Sequence, residues 1–267
     1  MLTKRLIACF DVKGGRVTKA RQFEDNIDID TPEALAQRLY EDQIDEIIFY
    51  DITASSEKRR IDLDTVRRVA RHVFVPFTVG GGIKSLDDMY EVLKAGAEKI
   101  SIDSMAVRNP GIITEGANAF GRQCMVLSTQ VKRVPVTAEI PSGYEVAIDG
   151  ARVFTGMDAI AWAKRGESLG AGEIVVNSID QDGTHAGYEL DITARISAAV
   201  NIPVIASGGA GDITHLRDLF QTTLASAGII SSMLYSPRME RNFSVREIKE
   251  SLDASGIPIR PLVETTL

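Results

Sequence analysis

Two short stretches of this chain carry residue types that could bind an anion, and a third carries a carboxylate that could move a proton. Gly80-Gly81-Gly82 ends one apolar run, and Ser207-Gly208-Gly209 ends another. Glycine lets backbone N–H groups close on an anion with no Cβ in the way, and a helix starting just beyond adds partial positive charge. One such pair is more simply a tight turn. Here, however, PFTVGGGI (76–83) aligns with PVIASGGA (203–210), and DEIIFYDI (45–52) with GEIVVNSI (172–179), both at an offset of 127 residues. KISIDSMAV echoes GIISSMLYS at an offset of 128, matching Ser104 with Ser232, and Ser231 stands beside the latter. An internal repeat of this kind predicts quasi-twofold symmetry, with two like anion cradles at one rim and a ligand that has two similar anionic ends, such as two phosphates.

The repeat also sets CFDVK (9–13) against STQVK (128–132), so Asp11 and Gln130 are twins across that rim. A carboxylate at the end of a strand facing a binding cleft is placed for proton transfer. Gln130 can donate and accept hydrogen bonds but cannot exchange a proton near neutral pH. Taken alone, Asp11 would be read as a loop-capping carboxylate. Its position between two anion turns favours catalysis.

These residues need a scaffold that brings strand ends together. Eight short β-branched runs recur, at 5–12, 45–52, 75–81, 99–103, 124–129, 173–179, 203–209 and 227–233, with amphipathic segments between them. Thr31-Pro32-Glu33 suits the start of a helix, and Ser85 opens another that Gly96 can close. Eight such units in 267 residues predict a single-domain (β/α)8 TIM barrel. One connection departs from the pattern. YEVAI-DG-ARVFT, after the fifth strand, reads as a β-hairpin turning at Asp149-Gly150 and standing over the barrel mouth. The final IRPLVETTL reads as a frayed tail.

Composition narrows the partners. A net charge of −7 excludes nucleic acid or an anionic membrane bound through bulk charge. No apolar run is long enough to span a bilayer and no secretory signal is expected, which predicts a cytoplasmic protein. Cys9 and Cys124 sit in apolar runs and are expected to be free, and His72, His185 and His215 lack ligand spacing, so neither a metal nor a cofactor is expected.

In order along the chain, KRLIACFDVKGGRV, FYDITAS, PFTVGGGI, GAEKIS, SIDQDGT and IASGGAG form a highly specific set. The whole sequence resembles the synthase (cyclase) subunit of imidazole glycerol phosphate synthase, of histidine biosynthesis. The resemblance implies a lyase/cyclase working with a separate glutaminase subunit that docks on the N-terminal face of the barrel. Ammonia released by that partner would cross the barrel and convert the bisphosphate N′-phosphoribulosyl-formimino-AICAR-phosphate to imidazole glycerol phosphate and AICAR. It implies Asp11 as first general acid/base and Lys19 in a loop over the substrate. Gly81, Gly82, Asp103, Ser104, Asp182, Gly183, Ser207, Gly208, Gly209, Ser231 and Ser232 would fall in the substrate and phosphate sites. It further implies an ammonia gate of charged residues at strand starts, here Arg5, Glu46, Lys99 and Glu173.

Two positions depart from the family pattern. The second family carboxylate falls on Gln130, and a position usually Asn is Asp103. A positioned acid or base contributes about 10²- to 10⁴-fold, so the cyclase step is expected to be slower than in relatives unless another group compensates. A carboxylate beside a phosphate repels it unless protonated or paired. An intact gate beside an altered site also fits a second reading, a weakened paralogue that activates a glutaminase and conducts ammonia to another acceptor. The sister isomerase of the same pathway ranks third, since it has no use for a gate.

Overall fold

The computed structural model describes residues 2–21, 24–54, 57 and 59–263. In chain order the elements are β1 (Arg5–Lys13), β2 (Arg16–Arg21), β3 (Glu24–Asp30), α1 (Pro32–Glu41), β4 (Glu46–Asp51), α2 (Leu63–Ala70), β5 (Phe77–Gly80), α3 (Leu86–Lys94), β6 (Lys99–Ile102), α4 (Ser104–Arg108), α5 (Gly111–Phe120) and β7 (Met125–Arg133). There follow β8 (Tyr144–Ile148), β9 (Val153–Asp158), α6 (Ala159–Leu169), β10 (Glu173–Ser178), α7 (Leu190–Ala199), β11 (Val204–Ser207), α8 (Ile213–Thr222), β12 (Ala227–Ile229), α9 (Ser231–Tyr235) and α10 (Val245–Ala254).

Parallel pairing runs β1-β4-β5-β6-β7-β10-β11-β12 and closes from β12 back to β1, a (β/α)8 barrel. Alternation along each strand divides the apolar residues between two cores. Inward-facing Ile7, Cys9, Ile48, Val126, Val175, Ile205, Ala227 and Ile229 fill the barrel, while their neighbours Leu6, Phe10, Ile47, Phe49, Leu127 and Ile174 pack under the helices. The helices begin where side chains satisfy their first N–H groups. Thr31 accepts from Ala34 N with Pro32 following, and Ser85 accepts from Asp88 N. Gly96, at φ 115°, then turns the chain out of α3. His215 serves as a cap residue: its Nδ1 accepts from the backbone N–H groups of Gly211 and Asp212.

Several boundaries differ from the sequence reading. The runs 75–81 and 203–209 stop early, at Gly80 and Ser207, because Gly81 (φ 95°) and Gly208 (φ 93°) leave the extended region and end the pairing. The run 227–233 divides into β12 and the start of α9. Cys124 lies in a half-buried 3-10 turn ahead of β7 rather than inside a strand.

Two antiparallel extensions rise from the strand ends. β1 continues into β2 through Gly14-Gly15, with Lys13 opposite Arg16 and both glycines at positive φ (57° and 74°), the two-residue geometry that matches strand twist. β7 continues into β8 and β9, but the turn expected at Asp149-Gly150 is longer. Ile148 pairs with Val153, so four residues form the loop, with Asp149, Gly150 and Ala151 all at positive φ. The terminal segment is tied down over its described part. Lys4 bridges to Ile259, and Gln43 exchanges two hydrogen bonds with the backbone of Val263, at 2.9 and 2.6 Å. Residues 264–267 lie outside the described residues. No helix is long and apolar enough to cross a membrane among the described residues.

Candidate functional site

At the N-terminal end of the barrel, Arg5, Glu46, Lys99 and Glu173 are the first residues of β1, β4, β6 and β10, and all point inward. They close a ring of four ion pairs: Arg5 to Glu46 at 2.7 Å and to Glu173 at 2.8 Å, Lys99 to Glu46 at 2.9 Å and to Glu173 at 2.7 Å. Glu46, fully buried, also accepts from Thr78 Oγ1 at 3.1 Å. Each charge thus meets two of opposite sign, which offsets the cost of desolvation. Above the ring the interior is not wholly apolar. Tyr50 and Ser101 share a hydrogen bond at 3.0 Å, in line with the ring and on the way to the opposite end.

At the C-terminal end, Asp11 ends the inward face of β1, and the β1–β2 hairpin folds Lys19 back onto it, Nζ to Oδ2 at 3.2 Å. Burial pushes Lys19 down, but the Asp11 carboxylate beside it, with Tyr235 and Asp182 further off, holds its pKa above the ordinary value. It therefore stays a cation, and Asp182 belongs to the same neighbourhood.

Gln130 lies on β7, four strands round the closed barrel from β1, and so faces Asp11 across the mouth. Its Nε2 donates to Asp103 Oδ2, while its buried Oε1 finds no partner among the described residues. The two positions that depart from the expected pattern are thus in direct contact. Asp103 immediately precedes α4. Burial, the largest influence, raises its pKa to about 7; the hydrogen bond from Gln130 opposes this, Asp149 adds to it, and Arg108 opposes it. Nothing in the sequence places Asp103 against Gln130 except that two departures fall in one predicted site.

The glycine turns obey the repeat in three dimensions. A Cβ on Gly81 would lie 2.3 Å from the Asp51 carbonyl oxygen, and one on its twin Gly208 would lie 2.9 Å from the carbonyl of Ser178, the twin of Asp51. On Gly209 it would fall 1.9 Å from Gly187 O, and on Gly82 2.7 Å from the Ala54 methyl. Close packing between adjacent loops therefore demands glycine at these positions before any ligand is considered. Asp51 braces its loop, receiving both guanidinium nitrogens of Arg59 at 2.6 and 2.7 Å and the Ala54 N–H at 3.1 Å.

The hydroxyl residues divide. Ser104 opens α4 and its Oγ accepts from Asp149 N at 3.0 Å, which brings the β8–β9 turn to the rim; Arg108 pairs with the Asp149 carboxylate there. Ser231 is buried, and its Oγ accepts from Cys9 N at 2.7 Å and donates to Cys9 O at 3.0 Å, so this hydroxyl is spent on joining α9 to β1. Ser232 follows it in the first turn of α9, the repeat counterpart of Ser104 in α4. Ser207 ends β11 beside Asn177, and Gly183 turns at φ 67° in the loop after β10.

A (β/α)8 barrel with carboxyl groups, a lysine and paired glycine turns at its strand C-termini has the layout of a barrel enzyme, whose chemistry sits at that face. The family described as "Histidine biosynthesis protein" matches residues 5–240, and the chain belongs to that family. It is 54% identical to the imidazole glycerol phosphate synthase subunit HisF of Desulfatibacillum aliphaticivorans over 260 residues, covering 97% of this chain and 98% of that protein. The subunits of the same name from Syntrophobacter fumaroxidans and Nitratidesulfovibrio vulgaris are each 54% identical, over 97% of this chain and 99% of theirs.

Proposed function

We propose that this chain is the synthase subunit of imidazole glycerol phosphate synthase, a cyclase and lyase that uses ammonia from a glutaminase partner to turn N′-phosphoribulosyl-formimino-AICAR-phosphate into imidazole glycerol phosphate and AICAR. The observation that carries this reading is a single barrel with a closed charge ring at one end and an Asp11–Lys19 pair at the other. It agrees with relatives of that name matching 97% of the chain.

In this reading the glutaminase docks on the N-terminal face, over the ring. Ammonia enters when one ring pair opens, and the hydroxyls of Thr78, Tyr50 and Ser101 give it hydrogen-bonding partners inside the barrel. The bisphosphate lies across the mouth. Its two phosphates reach the two halves of the repeat, at Gly82 and Ser104 on one side and at Ser207, Gly209 and Ser232 on the other. Lys19 neutralises charge on the bound substrate, and Asp11 exchanges protons with the reacting atoms. Gln130 orients substrate but moves no proton itself. A conduit without catalysis has no use for the Asp11–Lys19 pair, and the full-length match to subunits of one name speaks for the enzyme.

Purified chain supplied with the bisphosphate and ammonium salts, without partner, is expected to form both products. Glutamine should replace ammonium only when the glutaminase is added. Turnover with neither nitrogen source above background would refute the reading.

A further inference from the structure

We propose that Asp103, held against Gln130 across the mouth from Asp11, is the second proton-transferring group of this site. The inference rests on the function proposed above and names the group that supplies what Gln130 lacks.

The geometry is specific. Asp103 and Gln130 are 27 residues apart, Asp103 just past the end of β6 and Gln130 on the neighbouring β7, so their contact is made by the barrel and not by the local chain. Gln130 is only 6% exposed, and its Oε1 is a buried acceptor without a donor among the described residues. That orphan atom has a use. When Asp103 is ionised, Nε2 donates to it, as observed. When Asp103 takes up a proton, a half-turn of the amide presents Oε1 to the new O–H. One glutamine can thus hold the carboxyl in place in both protonation states, as a group that gains and loses a proton in each cycle requires. A partner with a fixed charge would favour one state.

The surroundings keep both states within reach. Tyr50 faces Asp103 from β4, Gln130 from β7, Asp149 from the β8–β9 turn and Arg108 from α4. The Arg108 guanidinium is engaged by Asp149, and no ion pair to Asp103 is made among the described residues. With burial as the largest cause, its pKa stands at about 7, where both forms are populated at neutral pH. A substrate phosphate nearby would raise it further and favour the acid. This also removes the repulsion expected between a carboxylate and that phosphate.

The chemistry balances for ammonia adding to a ketone carbonyl. As the N–C bond forms, the carbonyl π electrons move to oxygen, which takes the proton from the Asp103 acid, while the nitrogen releases a proton to the Asp11 carboxylate. When water leaves to give the imine, Asp11 returns its proton to the departing hydroxyl and Asp103 accepts one from nitrogen. Both carboxyls end as they began, and no further reactant is needed.

The test uses full-length chain, ammonium and the bisphosphate, with kcat, KM and pH profiles for wild type, Asp103→Asn, Gln130→Asp and the double variant. Asparagine keeps the shape of Asp103 and an oxygen acceptor for Gln130, so a purely structural role would survive the change. The expected result for Asp103→Asn is a kcat lower by about 10²- to 10⁴-fold, with KM little changed and the ionisation near neutral pH gone from the profile. The double variant Asp103→Asn/Gln130→Asp is expected to recover activity, because a carboxyl returns to the same side of the mouth. A kcat for Asp103→Asn close to wild type, or a pH profile that keeps the same ionisation, would overturn the inference. Wild-type chain inert with ammonium would instead remove the functional reading, and this inference with it.

Discussion

Replacing Glu46 with glutamine takes one negative charge out of the ring without changing its shape. Glu46 is fully buried and receives Arg5 at 2.7 Å, Lys99 at 2.9 Å and Thr78 Oγ1 at 3.1 Å. Stranding a buried charge costs about 3–5 kcal/mol. Here both cations keep Glu173, at 2.8 and 2.7 Å, which lessens the loss. Against that, the new NH2 must face an arginine, a lysine or a hydroxyl already donating, and no rotamer avoids a donor-to-donor contact with all three. The balance is about 2–3 kcal/mol. For a chain of this length each kcal/mol moves Tm by about 2–4 °C, so Glu46→Gln should melt about 4–12 °C below wild type by circular dichroism. Asp64→Asn is the control, because its pair with Arg67 is exposed (81% and 45%) and such pairs contribute under about 1 kcal/mol. If both variants melt together, the ring is not a stabilising unit and the reasoning fails. Once the partner is present, the same variant should also lower the glutamine-dependent rate relative to the ammonium-dependent one.

Three further outcomes follow from particular contacts. Gly209→Ala drives a Cβ to within 1.9 Å of Gly187 O at φ 93° and should cost more than about 3 kcal/mol in urea denaturation, whereas Gly156→Ala, at φ 71° with open space around it, should cost only about 1–2 kcal/mol. Equal costs would mean that the loops yield to the added atom. Lys249→Met strands Asp45 in a pair whose side chains are 3% and 1% exposed, and should cost about 3–5 kcal/mol. Adding Asp45→Asn should recover part of it, and a strictly additive double variant would contradict this. Since the folded-state pKa of Asp103 is raised to about 7, the stability tied to its protonated form is fully present below the ordinary carboxylate range and is lost as pH rises to 7. Asp103→Asn should therefore raise Tm at pH 8 and leave it unchanged at pH 4, and a pH-independent difference would argue against that burial.

Periodicity and repetition made the barrel legible. Inward and outward residues alternate along every strand, and twin segments such as 45–52 and 172–179 occupy twin positions. The ring could be anticipated because its four residues sit at strand starts, where register alone brings them together. Contacts set by the rim were harder to read. Asp103 meets Gln130 only because α4 begins where β6 ends, a short helix that the repeat hinted at through Ser104 and Ser232 but that run lengths hid. Gly14-Gly15, two adjacent glycines, suits a two-residue turn, but the hairpin shows itself only in the pairing of β1 with β2, and it is this hairpin that delivers Lys19 to Asp11. The Asp149-Gly150 signal was real, but a third left-handed residue, Ala151, lengthened the turn. Ser231 looked equivalent to Ser232 until packing turned its hydroxyl onto Cys9.

The central claim is that ammonia reacts at the mouth of this barrel, on a substrate held beside Asp11. The most direct measurement supplies ¹⁵N-ammonium and the bisphosphate to the purified chain and follows the label by NMR, for wild type and Asp11→Asn. The account predicts ¹⁵N in the imidazole ring of the product with wild type and none with Asp11→Asn. Unlabelled, unchanged bisphosphate from a wild-type chain that still stimulates a glutaminase would contradict it.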